Sequence, residues 1–203
     1  MATYTFESII KDLKNKVYHP VYFFHGDEPY FIDQLAEYIE SHVLTDMEKE
    51  FNQSILYGRD IDPVSLFSSA KRYPMMSNYQ VVIIREAQDV RNLFKMKSGG
   101  DEEGARTADD GDDQDPFFQY LQHPQKSTIL VFCYKYKKLD KRTRTGKLLE
   151  KSAVVFESKK LYDDKVSAWI NSYVKNKGFK IGDQASGLLA EYLGADLSKV
   201  SNE

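Results

Sequence analysis

The residues of this chain that could do chemistry are few and badly placed for it. His19, His25, His42 and His123 are scattered, and none stands at metal-ligand spacing from another or from Cys133. Each is therefore expected in a loop or at the surface. Cys133 closes the apolar run Thr128-Ile-Leu-Val-Phe-Cys133, where it reads as a small buried hydrophobe rather than a nucleophile. One cysteine allows no disulfide within the chain, which fits a reducing compartment. The carboxylates Asp27 and Glu28 could serve as an acid/base pair. Adjacent in a turn before Pro29, they are better suited to favouring a helix dipole. A phosphate cradle needs several glycines and a Lys-Ser/Thr pair, because backbone N–H groups and an ammonium must meet phosphate oxygens. The segment His25-Gly26-Asp27-Glu28-Pro29-Tyr30-Phe31-Ile32 has one glycine, two acids and no lysine. Those acids would repel a triphosphate, so ATP hydrolysis is disfavoured and no metal or cofactor is expected.

Two features survive this filter, and both are binding features. The first is Met75-Met76, set between Pro74 and an apolar run. Methionine adapts to a partner pocket, so an exposed pair would make a protein-binding plug; spacing alone favours burial in the core. The second is Lys135-Tyr-Lys-Lys-Leu-Asp-Lys-Arg-Thr-Arg144, which interleaves Lys135, Lys137, Lys138, Lys141, Arg142 and Arg144 with Tyr136. These cations could contact phosphate or a partner; the plainer reading is a solvated loop and helix start.

The elements that must position these residues can be read from apolar periodicity and turn chemistry. Phe6, Ile9, Ile10 and Leu13 lie at helical spacing in Thr5–Asn15. Pro20-Val-Tyr-Phe-Phe24 is a continuous apolar run, as in a strand buried on both faces, and the residues after Pro29 supply an amphipathic helix. Phe51–Tyr57 reads as a second strand. Asp62-Pro63 is a helix start, an N-cap acceptor followed by proline at N1, and Pro74 should end that helix at Tyr73. Tyr79–Ile84, Thr128–Tyr134 and Ala153–Glu157 read as further strands, with helices at Phe117–Leu121 and Arg142–Lys151. Strands alternating with helices predict a parallel sheet covered by helices. After Glu157 the pattern becomes purely helical: Val166 to Val174, then 183–193, then a helix from about Ala195, with Gly178 and Gly194 at helix ends.

Composition bounds the rest. Of the 203 residues, 41% are apolar and 13% aromatic, enough to fill a core. The formal net charge is -3, yet Asp101–Asp115 holds eight acids and one arginine, so the remainder carries +4. That mild basicity is too weak for autonomous DNA binding but permits phosphate contacts within an assembly. Ser98–Asp115, acidic and glycine-rich, cannot offset its ordering entropy and is expected to be a disordered insertion. The N-terminus has no signal-peptide pattern, and no run reaches the roughly 18 apolar residues of a membrane span. A cytoplasmic protein without membrane contact is expected.

With these residues in place, the chain resembles a known family. Pro20-Val-Tyr-Phe-Phe-His-Gly-Asp-Glu-Pro-Tyr30, Arg72-Tyr-Pro-Met-Met-Ser with Val81-Val-Ile-Ile-Arg-Glu86, Leu121-Gln-His-Pro-Gln-Lys-Ser-Thr-Ile-Leu-Val131 and Lys138-Leu-Asp-Lys-Arg142 occur in order. Trp169-Ile170, Lys177-Gly178, Ala185 and Leu193-Gly-Ala-Asp-Leu197 complete the series. Together they are similar to the delta subunit of the bacterial DNA polymerase III clamp loader. The resemblance implies an AAA+-like (P-loop NTPase-like) α/β domain over residues 1–158 and a small helical lid-like domain over 159–203, cut short at its C-terminal end. A further collar domain, which holds family members in the loader, is absent from this stretch. The resemblance also implies a subunit of the DNA-directed DNA polymerase III holoenzyme, a nucleotidyltransferase, with no catalytic activity of its own. Its partners would be the beta sliding clamp, other loader subunits and primer-template DNA. Met75 and Met76 fall where the family places the apolar pair that opens the clamp, and two methionines replace the Leu- and Phe-like pair of many relatives. The rivals are an active P-loop-like ATPase and a direct DNA-binding module using Lys135–Arg144.

Overall fold

The computed structural model describes residues 4–90 and 116–203; the acid-rich segment 98–115 lies outside the described residues. The chain divides into two compact units, Met1–Ser158 and Lys159–Glu203.

The first unit is built on a five-stranded sheet, β1 (Val21–Gly26), β2 (Gln53–Tyr57), β3 (Gln80–Arg85), β4 (Thr128–Lys135) and β5 (Val154–Ser158), in the order β2-β3-β4-β1-β5. Every neighbouring pair is parallel, and Phe24 stands between Cys133 on β4 and Phe156 on β5. Parallel strands need crossovers, and these are helices that cover both faces. Alternation along β1 sends Tyr22 and Phe24 toward α1 (Phe6–Lys14) and α2 (Pro29–His42), where Ile9, Leu13, Ile32, Leu35 and Ile39 pack. It sends Val21 and Phe23 toward α4 (Pro63–Ala70), α5 (Pro116–Gln122) and α6 (Arg144–Ser152), against Phe67, Phe117, Tyr120 and Leu149. All six residues of β1 are buried, which is why Val21–Phe24 is apolar without alternation. Each such side chain contributes roughly 1.5–3 kcal/mol.

Polar residues at the helix starts fix where each helix begins. The Asp62 carboxylate accepts the Ser65 N–H at 3.0 Å with Pro63 at the first position of α4, as the sequence predicts. In α6 the Thr143 hydroxyl accepts the Gly146 N–H at 3.0 Å.

The helix expected from Arg142 begins at Arg144, and two other boundaries move. Phe51 does not start β2. Residues Asp46–Asn52 form a short helix, α3, whose first turn is closed by the Glu48 carboxylate accepting the Thr45 N–H at 2.9 Å and its hydroxyl at 2.7 Å. The apolar character of Phe51 imitates a strand start, yet its side chain is exposed at the end of α3. Secondly, α4 stops at Ala70 rather than Tyr73, because the Arg72 N–H already turns back to the Ser69 carbonyl in a tight i→i+3 bond. Leu66, Phe67 and Ala70 form its buried stripe, and Val64 is exposed.

The second unit has α7 (Asp163–Asn176), α8 (Asp183–Leu193) and α9 (Leu197–Asn202) around Val166, Ile170 and Val200. Gly178 and Gly194, both at positive φ, come after α7 and α8.

Candidate functional site

The turn between β1 and α2 is where a mononucleotide-binding α/β protein holds phosphate. Here its polar groups already have protein partners. The Glu28 carboxylate, buried, accepts the Tyr30 N–H at 3.1 Å and caps α2. The Glu28 N–H donates to the Ser158 carbonyl at 3.3 Å, and the Ser158 hydroxyl donates to the Glu28 carbonyl at 2.7 Å. Gly26 lies at φ +132, and a Cβ there would meet the Ser158 carbonyl oxygen at 2.1 Å. Only glycine lets β1 and β5 approach so closely. A carboxylate thus sits at the end of α2 where a phosphate would otherwise be attracted.

His25 departs from its expected loop or surface placement. It lies inside β1, 1% exposed, because the strand runs on past Phe24 to Gly26. Its Nδ1 accepts the Leu139 N–H at 3.3 Å. Desolvation by burial pushes its pKa down to about 4, with Glu157 opposing and Lys141 and Lys138 assisting. Cys133 is fully buried, and burial raises its thiol pKa to about 12, so it stays protonated and inert. Among the described residues, no group of three or more His, Cys, Asp or Glu side chains could hold a metal ion. No helix among them is long and apolar enough to cross a membrane.

The turn between α4 and β3 is the opposite case. Met75 is 62% exposed and Met76 fully so, and Tyr73 beside them is exposed too. The burial in the core that spacing favours does not occur. The backbone beneath the pair is nevertheless tied down. Asn52, the last residue of α3 and itself buried, accepts the Met75 N–H through Oδ1 at 2.6 Å. Its Nδ2 donates to the Met75 carbonyl at 2.9 Å and to the Glu48 carbonyl at 3.1 Å. The Glu48 carboxyl is held below its usual range, first by the Thr45 N–H and then by the hydroxyls of Thr45 and Ser77. Met76 adopts φ +52, in the left-handed region that costs a residue with a Cβ roughly 1–2 kcal/mol. Two large apolar side chains thus stand in water on a turn whose backbone is satisfied and whose second residue is strained. Isolated exposed hydrophobes are ordinary; here two stand side by side on a turn clasped from beneath.

The basic run does not act as one surface. Lys135, expected as a possible phosphate or partner contact, departs from its exposed neighbours: its side chain, 12% exposed, is turned inward, with Nζ at 2.8 Å from Asp33 and 3.2 Å from Glu86. Burial alone would lower its pKa, but the Asp33 and Glu86 carboxylates outweigh that and raise it. Arg85 reaches the same network through Asp33 at 4.0 Å and pairs with Glu40 at 2.7 Å. The residue belongs to the strand, not the loop, since β4 extends one position beyond the expected end at Tyr134. The others face water. Lys138 pairs with Asp27 at 2.8 Å, Lys141 with Glu150 at 2.9 Å, and Arg142 grips Asp140 by two bonds of 3.0 and 3.1 Å. Arg144 lies over the Phe118 ring at 4.5 Å, and Lys137 is exposed.

Two contributors escape sequence reasoning. The Asp33–Lys135–Glu86 network joins α2, β4 and the residue after β3, and leaves no local signal. Asn52 acts on a residue 23 positions away. Only its helix could have been found, from the Thr45–Glu48 pair at N-cap and N3.

A family model described as DNA polymerase III, delta subunit, matches residues 22–159. The DNA polymerase III subunit delta of Bacillus subtilis (strain 168) is 26% identical over 194 residues, covering 95% of this chain and 52% of that protein. The chain thus spans about half the length of the curated relative it matches. The solved Bacillus subtilis DNA clamp loader delta protein shares the fold, with a TM-score of 0.73 at 23% identity over 97% of this chain and 55% of that one. Matched by the family model over more than half of its length, this chain belongs to the DNA polymerase III delta subunit family.

Proposed function

We propose that this chain is the clamp-engaging part of a clamp-loader delta subunit, and that Met75 and Met76 dock in an apolar pocket of a ring-shaped sliding clamp. The observation that carries this reading is the exposure of both methionines on a turn whose backbone is fixed by Asn52. The chemistry is binding coupled to a change of shape. Burying the pair contributes roughly 1.5–3 kcal/mol per side chain. That energy favours an open ring only to the extent that the open ring is bound more tightly than the closed one.

The reading that the chain has no catalysis of its own is supported by the β1–α2 turn, where Glu28 caps α2 and the Glu28 N–H donates to Ser158. Hydrolysis of ATP would then belong to other subunits of the loader, and DNA contacts to the assembly. Lys137, Lys138, Lys141, Arg142 and Arg144 are the cations offered for phosphate or partner contact in that setting.

The test is calorimetric titration of this chain into an intact sliding-clamp ring and into a ring with one interface broken by mutation. Tighter binding to the broken ring is expected. Equal affinities would mean docking without opening, and no binding to either would remove the reading.

A further inference from the structure

We infer that Asn52 is a positioning residue, holding the Met75–Met76 turn in its docking shape before any partner arrives; this rests on the reading of that pair as the docking element. The carboxamide is 5% exposed and engages both backbone groups of Met75, one as acceptor at 2.6 Å and one as donor at 2.9 Å. A neighbouring strand offers a residue the same paired donor and acceptor. The second Nδ2 hydrogen goes to the Glu48 carbonyl at 3.1 Å, so the amide is oriented by its own helix. Of the natural side chains, only asparagine supplies this donor and acceptor at this reach. Aspartate lacks the donor, alanine and leucine lack both groups, and glutamine is one methylene longer.

Fixing Met75 also restrains Met76. Met76 occupies a left-handed conformation that an untethered methionine seldom visits, and its side chain is fully exposed. No packing of the Met76 side chain can hold that conformation, so the restraint must come through the backbone. It comes from Asn52, which clasps both backbone groups of Met75, the residue before Met76. Both bonds come from the last residue of α3, which makes this short helix the platform of the turn. A turn ordered in advance loses less conformational freedom on binding, and that raises affinity without any new contact.

The test uses the 203-residue chain with Asn52→Ala, Asn52→Asp and Met75→Ala/Met76→Ala, read by clamp binding and by amide hydrogen exchange. Wild type should show a protected Met75 N–H despite the exposed side chain. Asn52→Ala should release that proton while leaving β3 amides at Val81–Ile84 protected, and should weaken clamp binding about tenfold. Asn52→Asp keeps the acceptor and should fall between the two. A general loss of stability would instead speed exchange across β3, and that result would overturn positioning in favour of a structural role. If wild type binds, Met75→Ala/Met76→Ala does not, and Asn52→Ala binds like wild type, this inference fails alone. If wild type does not bind, the docking reading fails and takes the inference with it.

Discussion

The β1–α2 turn and the α4–β3 turn lie at opposite ends of one parallel sheet, the first after a strand and the second before one. In open α/β sheets ligands gather at the carboxyl ends of strands, yet here the turn after β1 is closed and the exposed methionine pair stands at the other end. At the β1–α2 turn, Glu28, Gly26 and Ser158 satisfy one another and the apolar residues around them are buried. At the α4–β3 turn the backbone is equally satisfied, by Asn52, but the side chains point out. The difference lies in whether satisfying the backbone also covers the side chains. Substitutions at the first turn should therefore change stability and not binding, and at the second turn binding and not stability.

Gly26→Ala gives the largest stability effect. Its Cβ would strike the Ser158 carbonyl at 2.1 Å in a backbone conformation closed to alanine, costing about 3 kcal/mol or more. Thermal unfolding should show a marked fall in Tm, and millimolar ATP should not shift the Tm of the wild-type chain. An ATP-dependent rise would mean that the β1–α2 turn holds a nucleotide after all.

His25 gives an effect of similar size in acid. Its folded pKa of about 4 lies below the ordinary 6.5, so the unfolded chain binds the proton more readily between these values. The neutral imidazole's contribution is fully present above about pH 6.5 and is lost as pH falls toward 4. It amounts to on the order of 3 kcal/mol. Denaturant titrations from pH 7 to pH 4 should show a steeper loss for wild type than for His25→Asn, whose carboxylates titrate alike; parallel curves would place the imidazole in water.

At the open end, Met76→Ala should weaken clamp binding by roughly 1.5–3 kcal/mol, more than Met75→Ala, because Met76 has the greater area left to bury. Tm should be unchanged in both. Calorimetry giving the reverse order would move the centre of the plug to Met75. The smallest effect belongs to Lys137→Ala, which should leave Tm and clamp affinity within about 0.5 kcal/mol. Its influence should appear only in the salt dependence of DNA binding by an assembled loader.

Legibility in the sequence tracks physical locality. The strands are readable because parallel strands buried on both faces are continuous apolar runs, and α4 because Asp62-Pro63 announces its start. His25 misleads because a polar residue after Phe24 looks like the end of a strand, whereas β1 carries it inside. Lys135 groups with its cationic neighbours because charge is visible in sequence and its inward turn toward Asp33 and Glu86 is not. Met75 and Met76 stand out as a pair, but their exposure depends on what α4 and β3 leave uncovered. Asn52 gives no sign of its role, since its partner lies beyond any local pattern.

Docking by the methionine pair is decided by titration of the chain, wild type against Met75→Ala/Met76→Ala, into a purified sliding clamp, with both proteins shown to unfold at the same temperature. Two side chains at roughly 1.5–3 kcal/mol each predict a loss of about a hundredfold or more in affinity. Equal affinity of the two folded proteins would contradict the assignment of these methionines as the docking pair.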